Sequence, residues 1–149
     1  MIKFFKPEEE TLIIAAIRRA EMQTSGEIRV HLEENPRKEA LEEAKRTFFR
    51  LGMDKTKDRN GVLILLAPEQ KQFAIIGDEG IDKVVEGDFW ESERDLLQGY
   101  FKKGAFCAGI VAAVDLIGEK LKAYFPYEGD DKNELSDDIS YGDGEEHLA

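Results

Sequence analysis

Gly61-Val62-Leu63-Ile64-Leu65-Leu66-Ala67-Pro68-Glu69-Gln70-Lys71-Gln72-Phe73-Ala74-Ile75-Ile76-Gly77 is the stretch on which the fold turns. The uninterrupted apolar run Val62 to Leu66 is the pattern of a strand covered on both faces, which makes it the central strand of a sheet. Pro68-Glu69-Gln70 then supplies a short turn, and Phe73 to Ile76 is a second apolar run. Two such runs joined by a short turn pair as an antiparallel hairpin.

Upstream, Pro7 suits a first helical turn, and Glu8, Glu9 and Glu10 place negative charge where the helix dipole favours it. Leu12, Ile13, Ala16, Ile17 and Ala20 recur at helical spacing before Gly26. From Glu27 the period changes to two: Ile28, Val30 and Leu32 face one way, and Glu27, Arg29 and His31 the other, as in a half-buried strand. Asn35-Pro36 reads as an N-cap and N1 pair for a second helix with a stripe of Ala40, Leu41, Ala44, Phe48 and Leu51, ending at Gly52. A strand joined through a helix to the central strand implies a parallel crossover, so the sheet is mixed.

Downstream, a short helix is expected over Ile81 to Val85. Asp88 with Glu91 is a capping-box pattern for a helix bearing Phe89, Trp90, Leu96, Leu97, Tyr100 and Phe101. After Gly104 a last helix carries Phe106, Ile110, Val114, Ile117 and Leu121, and Pro126 closes the domain. The reading is one α/β domain over residues 1–126 and an acidic, disordered tail over 127–149. The tail has nine acidic side chains against Lys132, a balance of −8 within a total of −11, which leaves −3 for the domain. Dense charge with few apolar residues does not offset the entropy of ordering.

Composition bounds function. A chain of 149 residues with 42% hydrophobic and 36% charged content fits one soluble domain. The acidic balance, with no basic stripe among aromatics, argues against nucleic-acid binding. No segment has the apolar length of a membrane span, and the start MIKFFKPEEE lacks an apolar signal-peptide core, so a cytoplasmic protein is expected. Cys107, the only cysteine, agrees with a reducing compartment and reads as packing. No glycine pattern cradles a nucleotide phosphate and no ligand set suits a redox cofactor.

If the two strands of the hairpin are antiparallel, the segment leading into one lies beside the segment leaving the other. Asp54, Asp58, Asn60, Asp78, Glu79 and Asp82 then share one edge. Oxygen donors of this kind suit Ca²⁺ or Mg²⁺, and the same residues also serve as ordinary turn formers. The spacing is not that of an EF-hand, because Thr56 and Ala67 stand where carboxylates are needed. Glu27 and Arg29 read either as a catalytic pair or as an exposed charged face. His31, without a His or Cys at ligand spacing, reads as structural or surface, and Phe89 and Trp90 as core anchors or a pocket floor.

Four stretches carry a family resemblance: Thr24-Ser25-Gly26-Glu27-Ile28-Arg29-Val30, Lys57-Asp58-Arg59-Asn60-Gly61-Val62-Leu63-Ile64, Ile75-Ile76-Gly77-Asp78-Glu79-Gly80-Ile81, and Phe89-Trp90 with Phe101-Lys102-Lys103-Gly104. Together they resemble the TPM domain over most of 7–126. The resemblance implies an α/β/α sandwich with a small mixed central sheet flanked by helices. Relatives include a thylakoid-lumen protein linked to photosystem II repair, a modulator of acetylcholine receptors and bacterial proteins of unknown role. Acid phosphatase activity and calcium binding are attributed to some members.

By position, the resemblance implies a metal set of Asp58, Asn60, Asp78, Glu27 and Asp82. It leaves three functions to weigh: a divalent-cation-binding accessory or regulatory module acting on a protein partner, a metal-assisted acid phosphatase, and a metal-free interaction module using Phe4-Phe5 or the acidic tail. Many family members carry a signal peptide and a membrane segment or glycine-rich tail, which this sequence does not show.

Overall fold

The computed structural model describes residues 4–127 and 139–142. The elements in chain order are α1 (Pro7–Glu21), β1 (Glu27–Glu33), α2 (Ala40–Arg50), a 3-10 turn at Met53–Lys55, β2 (Gly61–Ala67), β3 (Gln72–Gly77), α3 (Glu79–Asp82), α4 (Phe89–Lys102), α5 (Phe106–Leu121) and β4 (Ser140–Gly142). The strands form one mixed sheet in the order β3-β2-β1-β4. β1 runs parallel to β2 with Ile28 opposite Val62, β2 runs antiparallel to β3 with Val62 opposite Gly77, and β1 runs parallel to β4 with Leu32 opposite Tyr141.

Every residue of β2 is buried, as a strand between two helical layers must be. On one face Val62, Ile64 and Leu66 join Ile28, Val30 and Leu32 in a core completed by Ile13 and Ile17 of α1, Leu97 of α4, and Ile110, Val114 and Ile117 of α5. On the other face Leu63 and Leu65 pack with Ala40, Ala44 and Phe48 of α2 and with Met53. Helices on both faces of a mixed sheet make an α/β/α sandwich, as the hydrophobic pattern and the resemblance implied.

Four local expectations are corrected. Asn35-Pro36 does not open α2, which begins at Ala40 with Glu39 as its N-cap; the Glu39 side chain makes no capping bond, and Gln72 Oε1 accepts the Ala40 N–H at 3.0 Å instead. Asp88 is the N-cap of α4 without the expected capping bond. α3 begins at Glu79, with the Asp78 carboxylate accepting from the Glu79 N–H. β1 is buried on both faces, since Glu27, His31 and Glu33 are covered along with Ile28, Val30 and Leu32.

The burial of β1 also re-aims α2. Glu27, Arg29 and His31 pair in register with Gly61, Leu63 and Leu65, so they lie on the α2 side of the sheet. A polar strand face under a helix needs polar counterparts, and α2 turns Glu43 and Thr47 inward while Leu41 stays exposed. None of Glu27, Arg29, Glu33 and Glu43 is without a partner.

β4 departs from the expected disordered tail. Ser140–Gly142 closes the outer edge of β1, with Ile139 buried against the main core. Ser140 Oγ lies 2.7 Å from His31 Nδ1, whose Nε2 is 3.1 Å from Glu33 Oε1. Tyr141 donates to Glu10 of α1, and burial together with that carboxylate pushes the phenol pKa up. Three residues pair, anchored by the buried Ile139 before them, although their neighbours in sequence are acidic. The expected disorder of 128–138 and 143–149 lies outside the described residues.

Candidate functional site

Two segments meet where β2 begins and β3 ends. Asp78 N–H donates to Gly61 O at 2.9 Å and Gly80 N–H to Arg59 O at 2.9 Å, which ties the loop before β2 to the turn after β3. A Cβ at Gly80 would stand 2.1 Å from Asp58 O, so glycine is required for this close approach. The convergence expected from the antiparallel hairpin is therefore present.

Its centre is an arginine. Arg59 Nε donates to Asp78 Oδ2 at 2.7 Å, Arg59 Nη2 to Asp78 Oδ1 at 2.9 Å, and Arg59 Nη1 lies 3.0 Å from Glu79 Oε1. Asp78 is only 7% exposed, and the two-pronged guanidinium supplies the counter-charge such a carboxylate needs. The Asp78 hydrogen bond above all, followed by the charges of Asp78, Glu79 and Asp54, raises the Arg59 pKa against the opposing effect of desolvation. Arg59 reaches this position with φ at 51°, in the left-handed region that non-glycine residues seldom adopt.

The other site candidates have distinct surroundings. Asn60 is buried, its N–H donates to Thr56 Oγ1 at 3.2 Å, and its Nδ2 donates to Ser25 Oγ at 3.4 Å. Asp58 is exposed. Asp82 is exposed and accepts from Trp90 Nε1 at 2.9 Å. Glu27 is buried, and its N–H donates to Asn60 O at 3.3 Å. Glu27, Gly61 and Asp78 thus sit side by side at one sheet end, with Glu27 and Asp78 two strands apart.

All these donors are oxygens, the chemistry a hard cation prefers. Among the described residues no group of three His, Cys, Asp or Glu side chains is set as a metal-holding cluster. Asp78 and Glu79 are both engaged by Arg59, whereas Asp82 accepts from Trp90.

A groove of about 380 Å³ opens beside this centre, with Asp78, Asp82, Trp90, Arg94 and Lys45 among its lining residues. The sequence reading missed Arg59, for which a basic residue between Asp58 and Asn60 was the available signal. Of the two roles it offered Trp90, core anchor or pocket floor, the structure places the indole in the lining of this groove as well as against the main core. Cys107 donates weakly to Glu9 O at 3.7 Å, and burial pushes its thiol pKa up, as a packing role requires.

Against known proteins, a family model of the TPM domain matches residues 2–120. The chain belongs to that family. The NMR structure of BA42 from the psychrophilic bacterium Bizionia argentinensis is similar with a TM-score of 0.89 and 46% identity, covering 95% of this chain and 98% of that one. The N-terminal domain of a P. gingivalis protein is similar at TM-score 0.69 and 15% identity, covering 85% and 83% of the two chains. The N-terminal domain of cg2496 from Corynebacterium glutamicum is similar at TM-score 0.63 and 15% identity, covering 78% and 74%. The last two likenesses show the TPM fold alone. No curated protein matches the chain. No helix among the described residues is long and apolar enough to cross a membrane.

Proposed function

We propose that this TPM domain is a divalent-cation-binding accessory module, taking Ca²⁺ or Mg²⁺ at the joined ends of β2 and β3 and presenting that surface to a protein partner. The observation that carries the reading is that two carboxylates, Asp78 and Glu79, share the single guanidinium of Arg59. Asp58 and Asp82 on the rim add further negative charge. Arg59 acts as the built-in counter-charge, and a divalent cation competes with it for Asp78, aided by Asp58 and the loop oxygens near Asn60. Glu27 supports the site from the neighbouring strand end.

The test is an NMR titration of the full chain with CaCl₂ and then MgCl₂. Saturable shifts of the 54–60 and 78–82 amides, lost in an Asp58→Asn, Asp78→Asn double variant, support the reading. Ligand binding to the native state alone also stabilises it, by about 2.7 kcal/mol at 100 times Kd, and so raises Tm. Unmoved amides and Tm at millimolar cation would remove it.

A second reading, a metal-assisted acid phosphatase, is favoured by Lys45 and Arg94, cations that line the same groove as Asp78 and Asp82. A cation at the carboxylates would neutralise phosphate charge while these side chains held the ester. Hydrolysis of a generic phosphate ester that continues unchanged in Asp58→Ala, Asp78→Ala protein would exclude this site as its source. Either reading suits a cytoplasmic protein.

A further inference from the structure

A recess of about 520 Å³ lies at the opposite end of the sheet from Arg59, where β2 ends and β3 begins. Its apolar wall is Phe4, Leu66, Pro68, Phe73, Phe101 and Phe106. The rings form a continuous set: Phe73 meets Phe101 edge-on at 5.2 Å between centroids, Phe101 lies 5.2 Å from Phe106, and Phe106 meets Phe4 edge-on at 5.2 Å. Leu66 is 2% exposed, whereas Phe73, Phe101 and Phe106 are half-buried, packed against the main core and lining the recess as well. A concave space of this size, mainly aromatic with a few polar groups, is the usual form of a small-molecule site.

Its charged groups have one sign. Among the described residues, Lys71 and Lys102 line the recess and no carboxylate does. Both lysines are exposed, and among the described residues neither ammonium has an ion pair or hydrogen bond. Gln98, four residues before Lys102, shares its face of α4 and also lines the recess. Glu33, Glu34 and Glu69 line a different recess, of about 100 Å³, which has Phe4 and Pro68 in common with this one. In a chain of net charge −11, an apolar recess bordered by cations alone selects an anion. Lys71 also holds an uncommon backbone: its N–H closes the hairpin turn on Pro68 O at 3.1 Å with φ at 55°, a conformation that glycine or asparagine ordinarily supplies. Lysine there gives up backbone ease and sets an ammonium in the lining, and outliers of this kind gather at ligand sites.

We infer that this recess binds a small amphipathic carboxylate, an alkyl-chain acid whose chain lies among Phe4, Phe73, Phe101 and Phe106 and whose head accepts from Lys71 and Lys102, with Gln98 as a further donor. Burial of the chain supplies affinity, and the two ammonium groups select the charged head. The apolar wall sinks to Leu66 rather than standing above the surface, so it takes a single chain and not the face of a bilayer. The inference stands whether or not a cation binds at Asp78, which lies at the other end of β3.

The test titrates full-length protein labelled with nitrogen-15 with sodium octanoate to about 2 mM, and in parallel with octan-1-ol, octylammonium and acetate. Octanoate is expected to give saturable shifts of the Lys71, Phe73, Gln98 and Lys102 amides and nuclear Overhauser contacts between its chain and the phenyl rings. A Lys71→Gln, Lys102→Gln variant binds it roughly tenfold more weakly, with octan-1-ol binding unchanged. Lys71→Gly also weakens octanoate binding without lowering the urea midpoint, because glycine accepts the left-handed backbone. Four results would overturn the inference: no saturable shift, octan-1-ol or octylammonium binding as tightly as octanoate, acetate moving the same amides with equal affinity, or equal octanoate affinity in the double variant. Vesicles of phosphatidylglycerol that move these amides while free octanoate does not would assign the surface to a membrane, and shifts that grow with protein concentration alone would assign it to a second copy; either overturns it.

Discussion

Arg59 grips both carboxylate oxygens of Asp78, at 2.7 and 2.9 Å, and so joins the loop before β2 to the turn after β3. The same carboxylate accepts the Glu79 N–H at 2.8 Å, which starts α3. One side chain therefore serves a loop, a strand end and a helix start. Asp78→Ala loses all three contacts; the cap alone is worth about 1 kcal/mol. The expected outcome is a lower urea midpoint with raised hydrogen exchange at Gly80 and Ile81, and an unchanged exchange pattern at those amides would contradict it.

His31 and Ser140 make the corresponding tie for β4. Ser140→Ala leaves a fully buried imidazole short of one partner, which costs about 1–3 kcal/mol. Removal of residues 128–149 goes further, since it also uncovers the edge of β1 and takes Ile139 and Tyr141 from the core. Chemical denaturation of the three proteins is expected to rank them wild type, Ser140→Ala, then the truncation.

Glu93 gives a pH prediction. It is fully buried in α4 with Lys120 Nζ 3.3 Å from Oε1. Burial raises its pKa, and the Lys120 charge opposes this only in part. The folded state thus holds this proton more tightly than the unfolded chain. Its contribution to stability is full below the ordinary glutamate value and is lost as pH rises through the raised folded value. Glu93→Gln has no such loss. Urea unfolding at about pH 4 and about pH 7 is expected to show the variant gaining on the wild type at the higher pH.

The core of β2 offers a plainer case. Leu63 is fully buried between α2 and the sheet, and Leu63→Ala is expected to cost about 2–5 kcal/mol in denaturant unfolding. A cost below about 1 kcal/mol would mean that α2 collapses freely onto the sheet.

Particular residues show what the sequence made legible. Val62 to Leu66 announced a strand covered on both faces, and the hairpin with Phe73 to Ile76 followed from a short turn; both are local patterns. That hairpin in turn put Asp58 and Asp78 at the same sheet end. The inward face of α2 was misread because counting apolar residues favoured Leu41, whereas the buried polar face of β1 selects Glu43 and Thr47. β4 was hidden by the acidic residues around it, since its stability comes from His31, Glu10 and the open edge of β1, all more than a hundred residues away. Arg59 was hidden for another reason: its left-handed backbone and its hold on Asp78 exist only once the hairpin has closed.

The claim that a divalent cation competes with Arg59 for Asp78 is tested most directly by titrating Ca²⁺ into wild-type and Arg59→Gln protein while following the 54–60 and 78–82 amides. The account predicts saturable shifts in both proteins and tighter binding in Arg59→Gln, where the built-in counter-charge is gone. No saturable shift in either protein, or weaker binding in Arg59→Gln, would contradict it.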